Sequence, residues 1–491
     1  MEPIEEITPP TDLLRTSSLQ GKEKSCLKYK AIRDYGKVEK ELGSGGFGNV
    51  VIREGMVEEK QVLSKNVKAS DPNNGLDSNL IRETSILMTL DSPLVVRLYD
   101  VQIRGETAEL YMPHGGGSLR SYLKDPYNRP VSENDFKFFI KSCLIFLSQL
   151  SSRAIIHGDI KPENILQSED LWPLFIDFGG AQQSVFLSDG KIQKIEYAPG
   201  TAFYKSPERL LYQPFDNTED IWALGCVWVE ALSKDSSDAH RAIEEAKEEN
   251  YDRVRNLFSE EDEGYFLIRR MLAYKPEDRL SPRAYLERPY FSGTVALIET
   301  IDSITPFDVL RSRELKPFEF NKEMLDRREE VLRDLLIKAD MGKFSNRTYF
   351  LAAKLFDVLL KEKYPYPFNI VNSTSCLLIA AKFYNEADKN ILNTFSNKET
   401  GIRKRELYIA ERNVYKGLCF MVNYSTPYDY LILKDKKDLV TYLRYMLRRP
   451  PKNKFFDEEL VDSVIESEND KRFRSDFSKN SKEEDSIILR D

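Results

Sequence analysis

Residues Leu42–Gly55 read LGSGGFGNVVIREG, with Gly43, Gly45 and Gly48 at G-x-G-x-x-G spacing. Glycines so spaced let backbone N–H groups close on phosphate, and two local arrangements do this. In a dinucleotide-binding strand-turn-helix, the third glycine opens a helix whose N-terminus meets the pyrophosphate. Here Gly48 is followed by NVVIREG, a β-branched run suited to a second strand. The glycines therefore join two strands, and the loop is a lid over phosphate rather than a helix N-terminus.

Outward from this loop, Tyr35 to about Leu110 is strand-like and carries one helix, Asp77 to Leu90. From Glu133 to Leu150 and from Asp220 to Leu232 apolar residues recur at helical spacing. A small sheet-rich unit thus precedes a larger helical one. The prolines of KPEDRLSPRAYLERPYF cap a last short helix, which puts a boundary near residue 292. Residues 292–320 are mixed in character and read as a partly ordered linker. Four helical segments come next, Asn321–Ala339, Asn346–Lys361, Val371–Asn385 and Arg403–Phe420, and predict an all-α domain over 321–433. Residues 1–34 read as a mobile tail, and 434–491, rich in Lys, Asp, Glu and Ser, as a charged one.

The 491 residues are 41% hydrophobic and 31% charged, ordinary for a globular protein, and the net charge of −8 argues against wholesale binding to nucleic acid. The clusters IRKRELY and LRRPPKNK read as solvated helix faces. Five scattered cysteines without a C-x-x-C pair read as buried thiols. MEPIEEITPP lacks the basic-then-apolar order of a leader, and no apolar run reaches the length of a membrane span, so an intracellular protein is expected.

The loop gains weight from residues further along the chain. Lys65 ends the strand QVLSK, within reach of α and β phosphates, and Glu83 lies on the helix DSNLIRETSILMTL, where it can hold that lysine. HGDIKPEN supplies Asp159 and, five residues on, Asn164; FIDFGG supplies Asp177. One carboxylate to accept a hydroxyl proton, with an amide and a second carboxylate to hold Mg²⁺ on ATP phosphates, is the set phosphoryl transfer requires.

At these residues the chain resembles the eukaryotic protein kinases, over roughly Tyr35–Phe291. The resemblance implies an α+β, bilobal protein kinase fold, with a small β-rich N-lobe and a helical C-lobe. It implies Lys161 beside the γ-phosphate, and K-P-E-N resembles serine/threonine rather than tyrosine kinases. It further implies Val50 and Leu166 around adenine, Tyr111 as a gate, Met112 to His114 as the hinge, and Leu87, Leu98, His157 and Phe178 as a stacked spine. Ser206–Glu208 resembles the end of the activation segment, with Arg279 as partner of Glu208 and Asp220 as a buried helix Asp.

Several positions depart from the pattern. Gly158 replaces the Arg that reads an activation-loop phosphate, Glu196 stands where the cyclin-dependent kinases carry their phosphorylated Thr, and Leu63 replaces the small residue above adenine. Gly180 and Gly200 stand where residues that shape substrate choice are usual. The I-R-E-x-S-x-L core of the Glu83 helix resembles the cyclin-binding helix of the cyclin-dependent kinases. RREEVLRDLLIKA, YFLAAKLFDVLL, STSCLLIAAKFYN and YIAERNVYKGLCFMVNYSTPYDYL resemble the helices of a cyclin box, with Glu411 and Thr426-Pro427 in matching places. Tyr384-Asn385 replaces an acidic pair and no Lys stands near Pro367–Asn369, so the usual polar clamp is expected to be missing. The chain is therefore expected to be an ATP- and Mg²⁺-dependent serine/threonine kinase acting on protein substrates, followed by an all-α cyclin-box-like domain that docks in cis on the Glu83 helix. The alternative is a pseudokinase scaffold that binds partners without phosphoryl transfer.

Overall fold

The computed structural model describes residues 35–294, 305–315, 321–447 and 457–467, apart from 46–47, 58–59, 72, 126–132, 168–172, 259–262, 389, 398–399, 438–439, 441–442 and 445–446. The expected tail over 1–34 lies outside the described residues.

Strands β1 (Val38–Gly45), β2 (Gly48–Val57) and β3 (Lys60–Lys68) lead through a small hairpin, β4 (Ser70–Asp71) and β5 (Gly75–Leu76), into helix α1 (Ser78–Thr89); β6 (Asp100–Arg104) and β7 (Thr107–Pro113) complete the unit. The five long strands form an antiparallel sheet in the order β1-β2-β3-β7-β6. Gly43 sits opposite Val50 and Gly45 opposite Gly48, so the glycine segment is a hairpin, as its β-branched continuation requires. The Asp77 carboxylate caps α1 by accepting from the Asn79 N–H at 2.8 Å. Every residue of α1 from Leu80 to Leu87 is buried, including Arg82, Thr84 and Ser85. A helix resting on one sheet keeps a wet face. Burial all round means that something covers α1 from outside.

The next unit holds β8 (Gly117–Ser118), α2 (Leu119–Lys124), α3 (Glu133–Ser151), β9 (Ile155–Ile156), β10 (Ile165–Gln167), β11 (Pro173–Phe175), β12 (Gln182–Gln183), α4 (Pro207–Leu210), α5 (Thr218–Leu232), α6 (Ser236–Lys247), α7 (Asp252–Arg255), α8 (Glu263–Met271) and α9 (Pro282–Leu286). Its core surrounds α5, whose Trp222 and Trp228 are fully buried. Glu208 takes a two-pronged bond from Arg279, at 2.7 and 2.9 Å. The Asp220 carboxylate accepts the N–H groups of His157 and Gly158, each at 2.8 Å, and so braces the turn before Asp159.

The C-terminal domain comprises α10 (Pro306–Ser312), α11 (Lys322–Met341), α12 (Asn346–Lys361), α13 (Ile370–Phe383), α14 (Ile391–Phe395), α15 (Lys404–Gly417), α16 (Pro427–Leu433) and α17 (Asp457–Ser467). Ser375, Ala380 and Ala381 on α13 are fully buried, and their small size lets α12 and α15 approach on either side. The linker expected to be partly ordered contains α10, whose Arg313 end is tied to Asn423 at 2.9 Å. The tail boundary differs from expectation. The expected charged tail contributes buried Leu443, Leu447, Leu460, Val461 and Val464, and buried Asp457 pairs with Lys354 of α12. Apolar residues at helical spacing lie among the charges there, and composition hid them. Cys143, Cys226 and Cys376 are free and buried, as expected, whereas Cys419 is disulfide-bonded.

This domain is what covers α1. Arg82 donates to the Lys382 carbonyl at 3.2 Å and to Asn385 Oδ1 at 2.8 Å; Thr84 bonds the Tyr415 hydroxyl; Ser85 donates to the Phe420 carbonyl at 3.2 Å. The buried pair Lys382–Glu411 meets the small hairpin, where Glu411 Oε2 accepts the Leu76 N–H at 2.9 Å. A polar clamp is therefore present, contrary to the sequence expectation. Lys382 and Glu411 make it from neighbouring helices, and Asn385 serves as a neutral acceptor for Arg82 where an acidic residue was sought.

Candidate active site

Lys65 on β3 reaches across to α1 and to the segment after β11, pairing with Glu83 at 2.7 Å and with Asp177 Oδ1 at 3.1 Å. All three are buried. Burial works against the lysine charge, but the two carboxylates outweigh it and the ammonium is held above its ordinary range. Asp177 has a φ of 65°, a left-handed conformation unusual for a non-glycine residue and a store of local strain. Phe178 beside it is buried against His157, with ring centroids 4.9 Å apart. Burial holds the His157 imidazole below its ordinary pKa, so this histidine packs as a neutral ring; Leu87 and Leu98 are buried as well.

Asp159, Lys161 and Asn164 lie after β9 on one tight loop. Lys161 Nζ lies 2.6 Å from Asp159 Oδ2, and the Asn164 amide donates to the Asp159 carbonyl at 2.9 Å and to its Oδ2 at 3.1 Å. Thr201, which sequence reading missed, joins them: its N–H donates to Asp159 Oδ1 at 2.8 Å and its hydroxyl accepts from Lys161 at 2.8 Å. Burial pushes the Asp159 carboxyl up, but Lys161 and Thr201 outweigh it and hold the acid below its ordinary range. It is a carboxylate at neutral pH, fixed by donors on both oxygens.

The strand register decides which of the expected gate and hinge residues share a face with Lys65. Lys65 stands opposite Val50 on one side and Leu110 on the other, and Leu63 opposite Met112. Side chains alternate between faces, so Val50, Leu63, Leu110 and Met112 share the face of Lys65 while Tyr111 takes the other. There Tyr111 stacks on Tyr35 at 4.1 Å and donates to Glu109 at 2.6 Å. Tyr111, on the far face from Lys65, is therefore not placed as the gate, whereas Met112 shares the face of Lys65. Nor is the His114 N–H free for a nucleotide, since it donates to the Gln61 carbonyl at 2.8 Å. Pro113 has no N–H, and the next amide closes the strand ladder. Gly115 instead brings backbone over Leu166: a Cβ there would lie 2.8 Å from Leu166 Cδ1 and 2.6 Å from Leu174 Cδ2. A side chain there would require the ends of Leu166 and Leu174 to shift.

The family model described as "Protein kinase domain" matches residues 36–291 of this sequence. The chain belongs to the protein kinase family. Similar proteins include the serine/threonine-protein kinase cds1 of Schizosaccharomyces pombe, 33% identical over 223 residues, which are 43% of this chain and 47% of that one. Cyclin-dependent kinase 4 of Xenopus laevis is 29% identical over 202 residues, 40% of this chain and 62% of the relative. The human 3-phosphoinositide-dependent protein kinase 1 is 30% identical over 198 residues, 39% of this chain and 34% of the relative. The matched stretch thus spans about half the length of such relatives, or less than two thirds in each case.

Within this kinase fold, Asn164 and Asp177 offer an amide oxygen and a carboxylate, hard oxygen donors that suit a divalent cation such as Mg²⁺. Lys65 donates to Asp177 through Oδ1. Among the described residues no helix is long and apolar enough to cross a membrane. Gly158 has a φ of 72°, where any side chain would be strained, and its carbonyl is taken by Arg209, a residue with no motif to announce it. Glu196 is exposed on the activation segment.

Proposed function

We propose that the protein is a serine/threonine kinase that moves the ATP γ-phosphate to protein hydroxyls and is held active by its own C-terminal domain, which we read as cyclin-like. The observation that carries this reading is the closed Lys65–Glu83 pair on a helix whose outer face is buried by that domain. In a kinase, that pair forms only when the helix stands inward.

Asp159 would orient the substrate hydroxyl and take its proton as the oxygen attacks the γ-phosphorus and ADP departs. Lys161 would steady the γ-phosphate, Lys65 the α and β phosphates, and the β1–β2 glycines would cover them. Asn164 and Asp177 would hold Mg²⁺, whose charge, when bound, offsets that of the phosphates. Val50 and Leu166 would enclose adenine, with Gly115 rather than His114 presenting the hinge amide. The domain limits we adopt are 35–291 for the kinase and 306–467 for the helical domain.

The deciding experiment pairs a Mg-ATP thermal shift with phosphate transfer from labelled ATP to dephosphorylated casein and to the chain itself. Mg²⁺-dependent stabilisation with transfer is expected. Stabilisation without transfer by any preparation would favour the scaffold reading, for which Leu63 on the cleft face supplies the motive.

A further inference from the structure

Arg209 is almost wholly buried on α4. Its Nη1 donates to the Gly158 carbonyl at 2.8 Å and pairs with Glu219 Oε1 at 2.6 Å; its Nη2 donates to the carbonyls of Ala198 at 2.7 Å and Pro199 at 3.1 Å. One guanidinium thus joins the loop before Asp159 to two successive carbonyls of the activation segment. Glu219, buried on α5, balances the charge and accepts the Ser206 N–H through its other oxygen at 3.0 Å. Gly200 lies in the fork of these contacts: a Cβ there would be 2.5 Å from the Gly158 carbonyl oxygen and 2.8 Å from Arg209 Nη2. The next residue, Thr201, donates to Asp159 Oδ1.

We propose that Arg209, balanced by Glu219, is a positioning residue that sets the direction of the Asp159 carboxylate through the Gly200–Thr201 backbone. The chemistry suits a guanidinium, whose rigid fork serves three carbonyls and one carboxylate at once; an ammonium offers no such plane. The segment is tied by an internal ion pair, so its order does not wait on modification.

The inference rests on the kinase reading, and the test separates the two. In the full chain, Arg209→Leu with Glu219→Leu removes both charges together, because a lone buried charge would unfold the site for a trivial reason. Arg209→Lys keeps the ion pair but loses the fork. Rates of transfer to dephosphorylated casein and to the chain, and hydrogen exchange at the Thr201 amide, are measured for each. Both variants are expected to keep the KM for ATP, to lose kcat by about tenfold or more, and to lose protection at Thr201. Phosphatase treatment of the wild type should change none of these. Wild-type kcat and wild-type Thr201 protection in both variants would overturn the proposal. If the double variant fails to fold, Arg209→Lys decides alone. If the wild type transfers no phosphate, the kinase reading falls, and Thr201 exchange still decides whether Arg209 orders the segment.

Discussion

Asp159 and Lys65 differ in what their loss should do, although both serve the same proposed reaction. Asp159→Asn keeps the shape and most hydrogen bonds of the loop but removes the proton acceptor. Its kcat is expected to drop by about a thousandfold or more, while the melting temperature and the Mg-ATP thermal shift stay near wild type. Lys65→Met should abolish transfer to a similar extent and also lower the melting temperature, because it leaves Glu83 and Asp177 as buried carboxylates without their shared cation. Steady-state kinetics alongside calorimetry checks both; undiminished turnover in either variant would defeat the assignment. The ordered set from Gly43 to Asp177 was legible because each residue belongs to a motif with its own spacing. Thr201 and Arg209 were not, since their role arises from contacts across 42 and 51 residues of chain.

At the scale of elements, α1 and the β4–β5 hairpin are the parts whose position is open to change. Gly75 turns the hairpin with a φ of 75°, and a Cβ there would collide with Glu411 Oε2 and stand 2.8 Å from Lys382 Nζ. Gly75→Ala should therefore push the hairpin off α15, break the Leu76–Glu411 bond and loosen α1. The full chain is expected to lose activity and melt earlier, whereas a chain ending at Thr294, which lacks Glu411, should be much less affected by the same change. Equal effects in both would show that the residue matters only to the hairpin turn. Helix limits were well predicted, Asn346–Lys361 to the residue, because apolar spacing and caps are local. Tyr111 was expected on the nucleotide side and lies on the other face, because strand register depends on pairing and a shift of one residue moves a side chain to the opposite face.

For the whole molecule, covalent attachment makes docking of the C-terminal domain intramolecular. At an effective concentration of about 1 mM, an interface with an intrinsic Kd of about 10 μM would be about 99% closed. Removal of residues after Thr294 should expose Arg82, Thr84 and Ser85, let α1 swing out and reduce kcat/KM by at least about tenfold. Adding the separate helical domain in excess should restore part of the loss. Full activity in the truncated chain would mean that the domain serves some other purpose. A pH dependence arises from Asp457, which burial pushes up to about 7 from an ordinary value of 3.8, against the pull of Lys354. The folded chain then holds a proton that the unfolded chain has released between about pH 4 and pH 7, so this group's cost to folding is absent below the window and grows as pH rises through it. Between about pH 5 and pH 8 the melting temperature of Asp457→Asn should gain on that of the wild type. A difference that does not vary with pH would refute the shift.

Local order was readable from residue order alone. Glycine spacing with a β-branched continuation made a hairpin, helical periodicity with capping residues made the helices, and short motifs carried Lys65, Glu83, Asp159, Asn164 and Asp177 in their required order. These depend on neighbours a few residues away, where φ/ψ preference and side-chain spacing act directly. Only the assembled molecule decided the rest. Arg82, Thr84 and Ser85 are polar residues that are buried because a second domain supplies carbonyl, amide and hydroxyl partners for them. Arg209 and Glu219 are likewise charges that composition would assign to the surface. A buried polar group is tolerable only when its partners are in place, and those partners arrive from segments far apart in the chain.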